Sequence, residues 1–107
     1  MVANLSPKLT AFEAQAAANG FLLDNLPDRY GAYEPRLSTH NQVWRVGVHL
    51  TYPVVGSVGE VGEIWISAFT GEVVSNTPLQ EMRERARKLY EQHGEAIQAA
   101  FLQSRNT

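Results

Sequence analysis

Between Val43 and Phe69 the polarity of the chain alternates with a period of two, in two successive runs. In Val43–Tyr52, residues Trp44, Val46, Val48, Leu50 and Tyr52 fall on one side, and Arg45, Gly47, His49 and Thr51 on the other. In the second run, Val61–Phe69, Ile64, Ile66 and Ala68 share a side, and Glu63, Trp65, Ser67 and Phe69 share its opposite. Period two is the repeat of a strand with one face covered. Two such runs joined by a Pro53–Gly59 loop read as an antiparallel pair, and the aliphatic side requires a cover.

The first of two flanking helices is expected to supply it. Ser6-Pro7 reads as the start of a first helix, with serine accepting from an orphan N–H and proline at the first helical position. Leu9, Phe12, Ala16, Leu23 and Leu26 recur at helical spacing and predict its apolar stripe. The stripe continues in phase past Gly20, so the helix is expected to run to about Leu26 and end at Pro27-Asp28. Tyr30–Leu37 predicts a first strand, and Pro35 places it at an edge or in an irregular pairing. Val73-Val74 extends the third strand or makes a short fourth. Thr77-Pro78 opens a second helix, with Gln80 spaced for a capping box. Leu79, Met82, Ala86, Leu89, His93, Ile97, Ala100 and Phe101 form its stripe to about Gln103, with Tyr90 alongside. No internal repeat or low-complexity segment is visible. The expected fold class is α+β: a three- to four-stranded antiparallel meander, an N-terminal helix on one face and a long C-terminal amphipathic helix.

At 107 residues the chain is read as one domain. A chain of this length buries roughly 65% of its unfolded surface and folds without staples. It has no cysteine, which excludes disulfides, thiolate catalysis and cysteine zinc sites. The formal net charge of −2 gives no general attraction to nucleic acid or anionic membrane. No apolar run approaches the ~20 residues that span a bilayer. The N-terminus lacks the basic and continuous apolar segments of a signal peptide, so a cytoplasmic location is expected.

Trp44-Arg45-Val46-Gly47-Val48 and Ser67-Ala68-Phe69-Thr70-Gly71-Glu72-Val73 together resemble the PepSY domain family over about residues 8–75. Its members carry an aromatic residue opening the middle strand and a D-A-x-T-G-x-V signature closing the last. Serine stands here where the family has aspartate. The resemblance implies a cystatin-like arrangement, a helix cradled by an antiparallel sheet, and a non-catalytic inhibitory or regulatory module. A helix over 77–103 is appended to that pattern, and the exported role common in the family is not matched by a leader.

Trp65 and Phe69 lie on the side away from the first helix. Burying each is worth about 1.5–3 kcal/mol, so a cover is expected, either the second helix, a protein partner or a second copy of the chain. A hairpin whose paired numbers sum to about 112 would set Trp65 across from Gly47, Glu63 across from His49, and Arg45 diagonal to Trp65. His40, His49 and His93 form no H-x-H or H-x-x-x-H pair, and no metal site or cofactor is expected. Gly56, Gly59 and Gly62 match no phosphate-binding motif and read as a mobile hairpin connection. Arg83, Arg85, Arg87 and Lys88 interleave with glutamates in pairs such as Glu84–Lys88 and Arg87–Glu91, the pattern of a solvated face. No serine has a histidine and an acid in a nucleophile motif. No catalytic residues are assigned. The expected function is a non-catalytic protein-binding or regulatory module. Its interaction surface would comprise Arg45, His49, Trp65 and Phe69 with Met82, Leu89, Tyr90, His93, Ile97 and Phe101, and the partner would be a protein or a second copy. An inhibitor or antidote of a partner enzyme is the first alternative, and a small enzyme or ligand-binding protein on a cystatin-like scaffold the second.

Overall fold

A computed structural model describes residues 8–27, 29–38, 40, 42–53 and 55–105, without the side chains of 101 and 103–105. The order is α1 (Ala11–Asn25), β1 (Tyr30–Ser38), β2 (Val43–Tyr52), β3 (Gly56–Ser67), β4 (Val73–Asn76) and α2 (Leu79–Arg105). The strands form one antiparallel sheet in the order β1-β2-β3-β4. This is the expected α+β architecture, with Val73-Val74 in a fourth strand and Pro35 on an edge strand. No helix of the described residues is long and apolar enough to cross a membrane.

Both helices pack on the same face of the sheet. Val46, Val48, Leu50, Ile64 and Ile66 are buried in one cluster with Ala14, Ala18 and Leu22 of α1 and Met82 and Ala86 of α2. The expectation that α2 lies over Trp65 is therefore corrected. Its apolar stripe finds aliphatic side chains on the first helix's side of the sheet, whereas the far side carries Arg45 and Glu63, whose burial would strip water from two charges.

The start and phase of α1 also differ from expectation. Ser6 and Pro7 lie outside the described residues. The observed cap is Thr10, whose hydroxyl accepts from Glu13 N–H while the Glu13 carboxylate accepts from Thr10 N–H, a reciprocal capping box. The helix runs through Gly20 and ends as expected at Leu26. Its buried face is Ala14, Ala18 and Leu22, while Phe12 is 79% and Leu23 70% exposed. The rotation has a polar cause. Gln15 Nε2 donates to the Ala32 carbonyl at 2.7 Å, and Asn19 Oδ1 accepts from Ala32 N–H at 3.0 Å. Two amide side chains thus pair the free backbone edge of β1, which an edge strand otherwise leaves open, and they turn α1 away from its predicted stripe.

Strand β3 is longer than expected, because the connection contracts to residues 53–55. Gly56, Gly59 and Gly62 are strand residues, paired with Tyr52, Leu50 and Val48. Two irregularities in register, between Leu50 and Thr51 and between Val48 and His49, each insert one extra residue into β3. Contrary to the expectation of no internal repeat, Val58-Gly59-Glu60-Val61-Gly62-Glu63 is one triplet written twice, with one insertion per copy. Val58 and Val61 join the core side, while Glu60 and Glu63 line the other face. The glycines give α2 access: a Cβ on Gly62 would stand 2.8 Å from Thr77, and one on Gly59 2.9 Å from Leu89.

The turn after β3 is held by Ser67. Its hydroxyl accepts from the Phe69 and Thr70 N–H groups at 3.2 and 3.1 Å, and Gly71 takes a φ of 80°. The Thr77 hydroxyl, expected to cap α2 with Gln80, accepts instead from Glu63 N–H at 3.0 Å and ties α2's start to the sheet. On α2, Glu84 pairs with Arg87 rather than Lys88, and Arg87 also takes Glu91 as expected. That pairing holds the Glu84 carboxyl below its ordinary value.

Ile64→Ala should destabilise the fold by about 2–5 kcal/mol through the cavity it opens. Phe12→Ala and Leu23→Ala should stay within about 0.5 kcal/mol of the wild type. Urea denaturation checks both, and a large loss in Phe12→Ala would overturn the observed phase of α1.

Candidate functional site

The helix-free face of the sheet is polar and ordered. At its centre Arg45 on β2 lies directly opposite Trp65 on β3. Its guanidinium sits 5.3 Å above the Trp65 ring and forks onto Glu63, with Nε to Oε1 at 3.1 Å and Nη2 to Oε2 at 3.2 Å. Trp65 Nε1 donates to the same carboxylate. The three side chains thus hold one another in a closed triangle, a cation over an aromatic face with both polar ends satisfied. Arg45 is half-exposed, so the pair contributes rigidity more than stability, at most about 1 kcal/mol.

Tyr33 on β1 stacks on His49 of β2, with ring centroids 4.5 Å apart and planes at 22°. His49 Nδ1 lies 2.7 Å from Ser57 Oγ. Between these two groups Gly47 leaves a gap. The nearest atoms to a Cβ there would be the Tyr33 carbonyl, Glu60 Oε2 and His49 Nε2, at 3.5, 3.7 and 3.7 Å, which are ordinary contacts. The glycine therefore relieves no clash; it leaves room. The result is a groove of about 330 Å³ floored by Gly47, with Tyr33 and His49 in its wall, Arg36 and Arg45 toward one end, and Glu60 and Glu63 on the β3 side.

The register corrects three expected neighbours. Arg45, not Gly47, faces Trp65; Gly47 faces Glu63; His49 faces Glu60. The short connection starts the hairpin with paired numbers summing to 108, and the two insertions in β3 carry the sum to 110 rather than 112; alternation alone reveals neither. The triplet repeat with a polar residue at every third position, Ser57, Glu60 and Glu63, is the signal that identifies the insertions in retrospect. The Ser57–His49 contact was likewise hidden, because Ser57 reads as a loop residue. Its hydroxyl is exposed, and nothing excludes water from it. An unshielded hydroxyl on a flat strand end lacks the desolvated setting that acyl transfer uses, so the contact acts as a cross-strand hydrogen bond. Among the described residues no cluster of three metal-ligating side chains converges.

Comparison with protein-family models, curated proteins and solved structures finds no match to this chain.

The remaining residues assigned to the surface go elsewhere. Phe69 is half-buried in the turn after β3. Met82 is fully buried in the core and Leu89 is packed against it. His93 is exposed, not partly buried as its place on the stripe suggested. The side chain of Phe101 lies outside the described residues. Tyr90 and Ile97 border a second groove of about 380 Å³ with Arg29, Tyr52 and Leu102, at the far end of α2 from the turn. Here Tyr52 and Tyr90 rings approach to 6.1 Å and Arg29 sits 5.4 Å over Tyr52. The two surfaces lie on opposite sides of the sheet and form no continuous patch.

Burial lifts the phenol groups of Tyr30 and Tyr52 above the ordinary tyrosine value of 10.0, against the smaller pull of Arg83 and Arg29. A raised folded-state value means that the folded state holds the proton longer than the unfolded chain. The stabilisation is complete below about pH 10 and is lost as pH rises through the folded value. Thermal melts between about pH 9 and 11 should show a falling midpoint. The fall should be shallower in the Tyr30→Phe/Tyr52→Phe double variant.

Proposed function

We propose that this chain is a non-catalytic binding module that docks a protein partner on the helix-free face of its sheet. One observation carries the reading. Two helices are available to cover the sheet, and both take the same side, leaving a pre-formed polar and aromatic surface facing outward. The Arg45–Glu63–Trp65 triangle fixes an arginine and an aromatic ring in place before any partner arrives. Arginine and tryptophan are the residue types that dominate binding energy at protein interfaces. Holding them rigid in the free state lowers the entropy lost on association.

The PepSY resemblance belongs to the same reading. A helix across a meander, a tryptophan beginning the middle strand and a T-G turn after the next strand are the features that motivated it, and a regulatory module without chemistry of its own is its functional consequence. A partner seated on the sheet face leaves α2 free to hold the fold together from behind.

Affinity capture from the source lysate tests the reading. Bait carrying the double substitution Arg45→Glu/Trp65→Ala should lose a protein that wild-type bait retains. Bait carrying Phe12→Ala/Leu23→Ala, on the opposite side, should keep it. Circular dichroism confirms that each bait is folded. Equal capture by all three baits, or none by the wild type, would overturn the assignment.

A further inference from the structure

The groove over Gly47 owes its charge pattern to two strand irregularities, one on each side of β2. On β1 the register passes from Tyr33↔Gly47 to Arg36↔Arg45, so β1 advances three residues while β2 advances two. Without the extra residue Pro35 would stand opposite Arg45, and Arg36 would turn to the helix side. The insertion holds Glu34 at a φ of 50°, a left-handed conformation that a residue with a Cβ seldom adopts. On β3 the register passes from Val48↔Gly62 to His49↔Glu60. Without that insertion Val61 would stand opposite His49, and Glu60 would turn toward the core. Each irregularity therefore swings one charged side chain into the same groove, the re-aiming that bulges perform beside binding sites.

The two re-aimed charges are unmatched. Arg45 is neutralised by Glu63. Arg36 and Glu60 make no side-chain hydrogen bond or ion pair among the described residues. Arg36 stands directly across from Arg45, whose charge Glu63 already offsets, so Arg36 is the guanidinium of this pair left without a carboxylate among the described residues. Glu60 stands across from His49, but its carboxylate reaches over Gly47, with Oε2 3.7 Å from where a Cβ would be. The Arg36–Arg45 pair lies two residues further along β2, roughly 7 Å of strand away. An α-amino acid, with its charges about 3 Å apart, is too short to meet both; two or three extended residues match the span. The groove volume of about 330 Å³ suits a ligand of that size.

The geometry points to a site for a short free peptide with both termini charged. Its carboxylate meets Arg36, its ammonium meets Glu60 over Gly47, and its backbone runs between the two along the groove. The site shares the face assigned to a partner, yet it requires no partner in order to bind.

Triglycine titrated into the 15N-labelled full chain tests this by amide chemical shifts. Saturable shifts are expected at Gly47, His49 and Tyr33. N-acetylated and C-amidated triglycine should each bind about tenfold more weakly. Arg36→Gln should lose sensitivity to amidation but not to acetylation, and Glu60→Gln the reverse. Gly47→Val, which fills the floor, should abolish binding while preserving the dispersed spectrum of a folded chain. No saturable shift, or shifts indifferent to capping of the termini, would overturn the proposal. Partner capture that still depends on Arg45 and Trp65 in that event would retire the peptide site alone and leave the docking face standing.

Discussion

Four side chains at the middle of the sheet, Val46, Val48, Ile64 and Ile66, are fully buried and decide where everything else can go. Each contributes about 1.5–3 kcal/mol only when water is excluded from it. The sheet offers one aliphatic face, so both helices compete for that side and share it. α1 lies over the β1 side, where Gln15 and Asn19 hold the Ala32 backbone, and α2 lies over β3, admitted by Gly59 and Gly62. The opposite face is left to groups that water solvates well. A functional surface is therefore a by-product of how the core is closed.

That surface is shaped by backbone irregularity more than by side-chain choice. Of the four one-residue insertions in the sheet, the one in β1 and the two in β3 set which residues look outward around the groove. Because the strand period is two, a single inserted residue exchanges the faces of all that follows. Arg36 and Glu60 face the groove for this reason, as Val58 and Val61 face the core. Gly47 completes the arrangement by omitting a side chain at the point where three strands would otherwise fill the space.

How much of this could be read from the residues depends on the interaction involved. Strands β1 and β2 and helix α2 were legible within about a residue or two, since long alternation and helical periodicity are local properties. The phase of α1 was not. Its sequence carries two apolar stripes, and the larger side chains, Phe12 and Leu23, lie on the exposed one. What selects the other stripe is a pair of amide hydrogen bonds to a strand seventeen and thirteen residues away, which no window on the helix contains. Within the site, alternation alone turns Arg45, His49 and Trp65 outward. It does not place Arg36 and Glu60, because their orientation follows from insertions visible only once the strands are paired.

The order of elements, the single aliphatic face and the absence of cysteine chemistry follow from the residues alone, because each depends on near neighbours in the chain or on composition. The side chosen by the second helix, the rotation of the first and the contents of the groove were settled only when distant segments met. Those outcomes hinge on which backbone groups pair across strands and on which charges would have to leave water, and neither is written in any local stretch of the polypeptide.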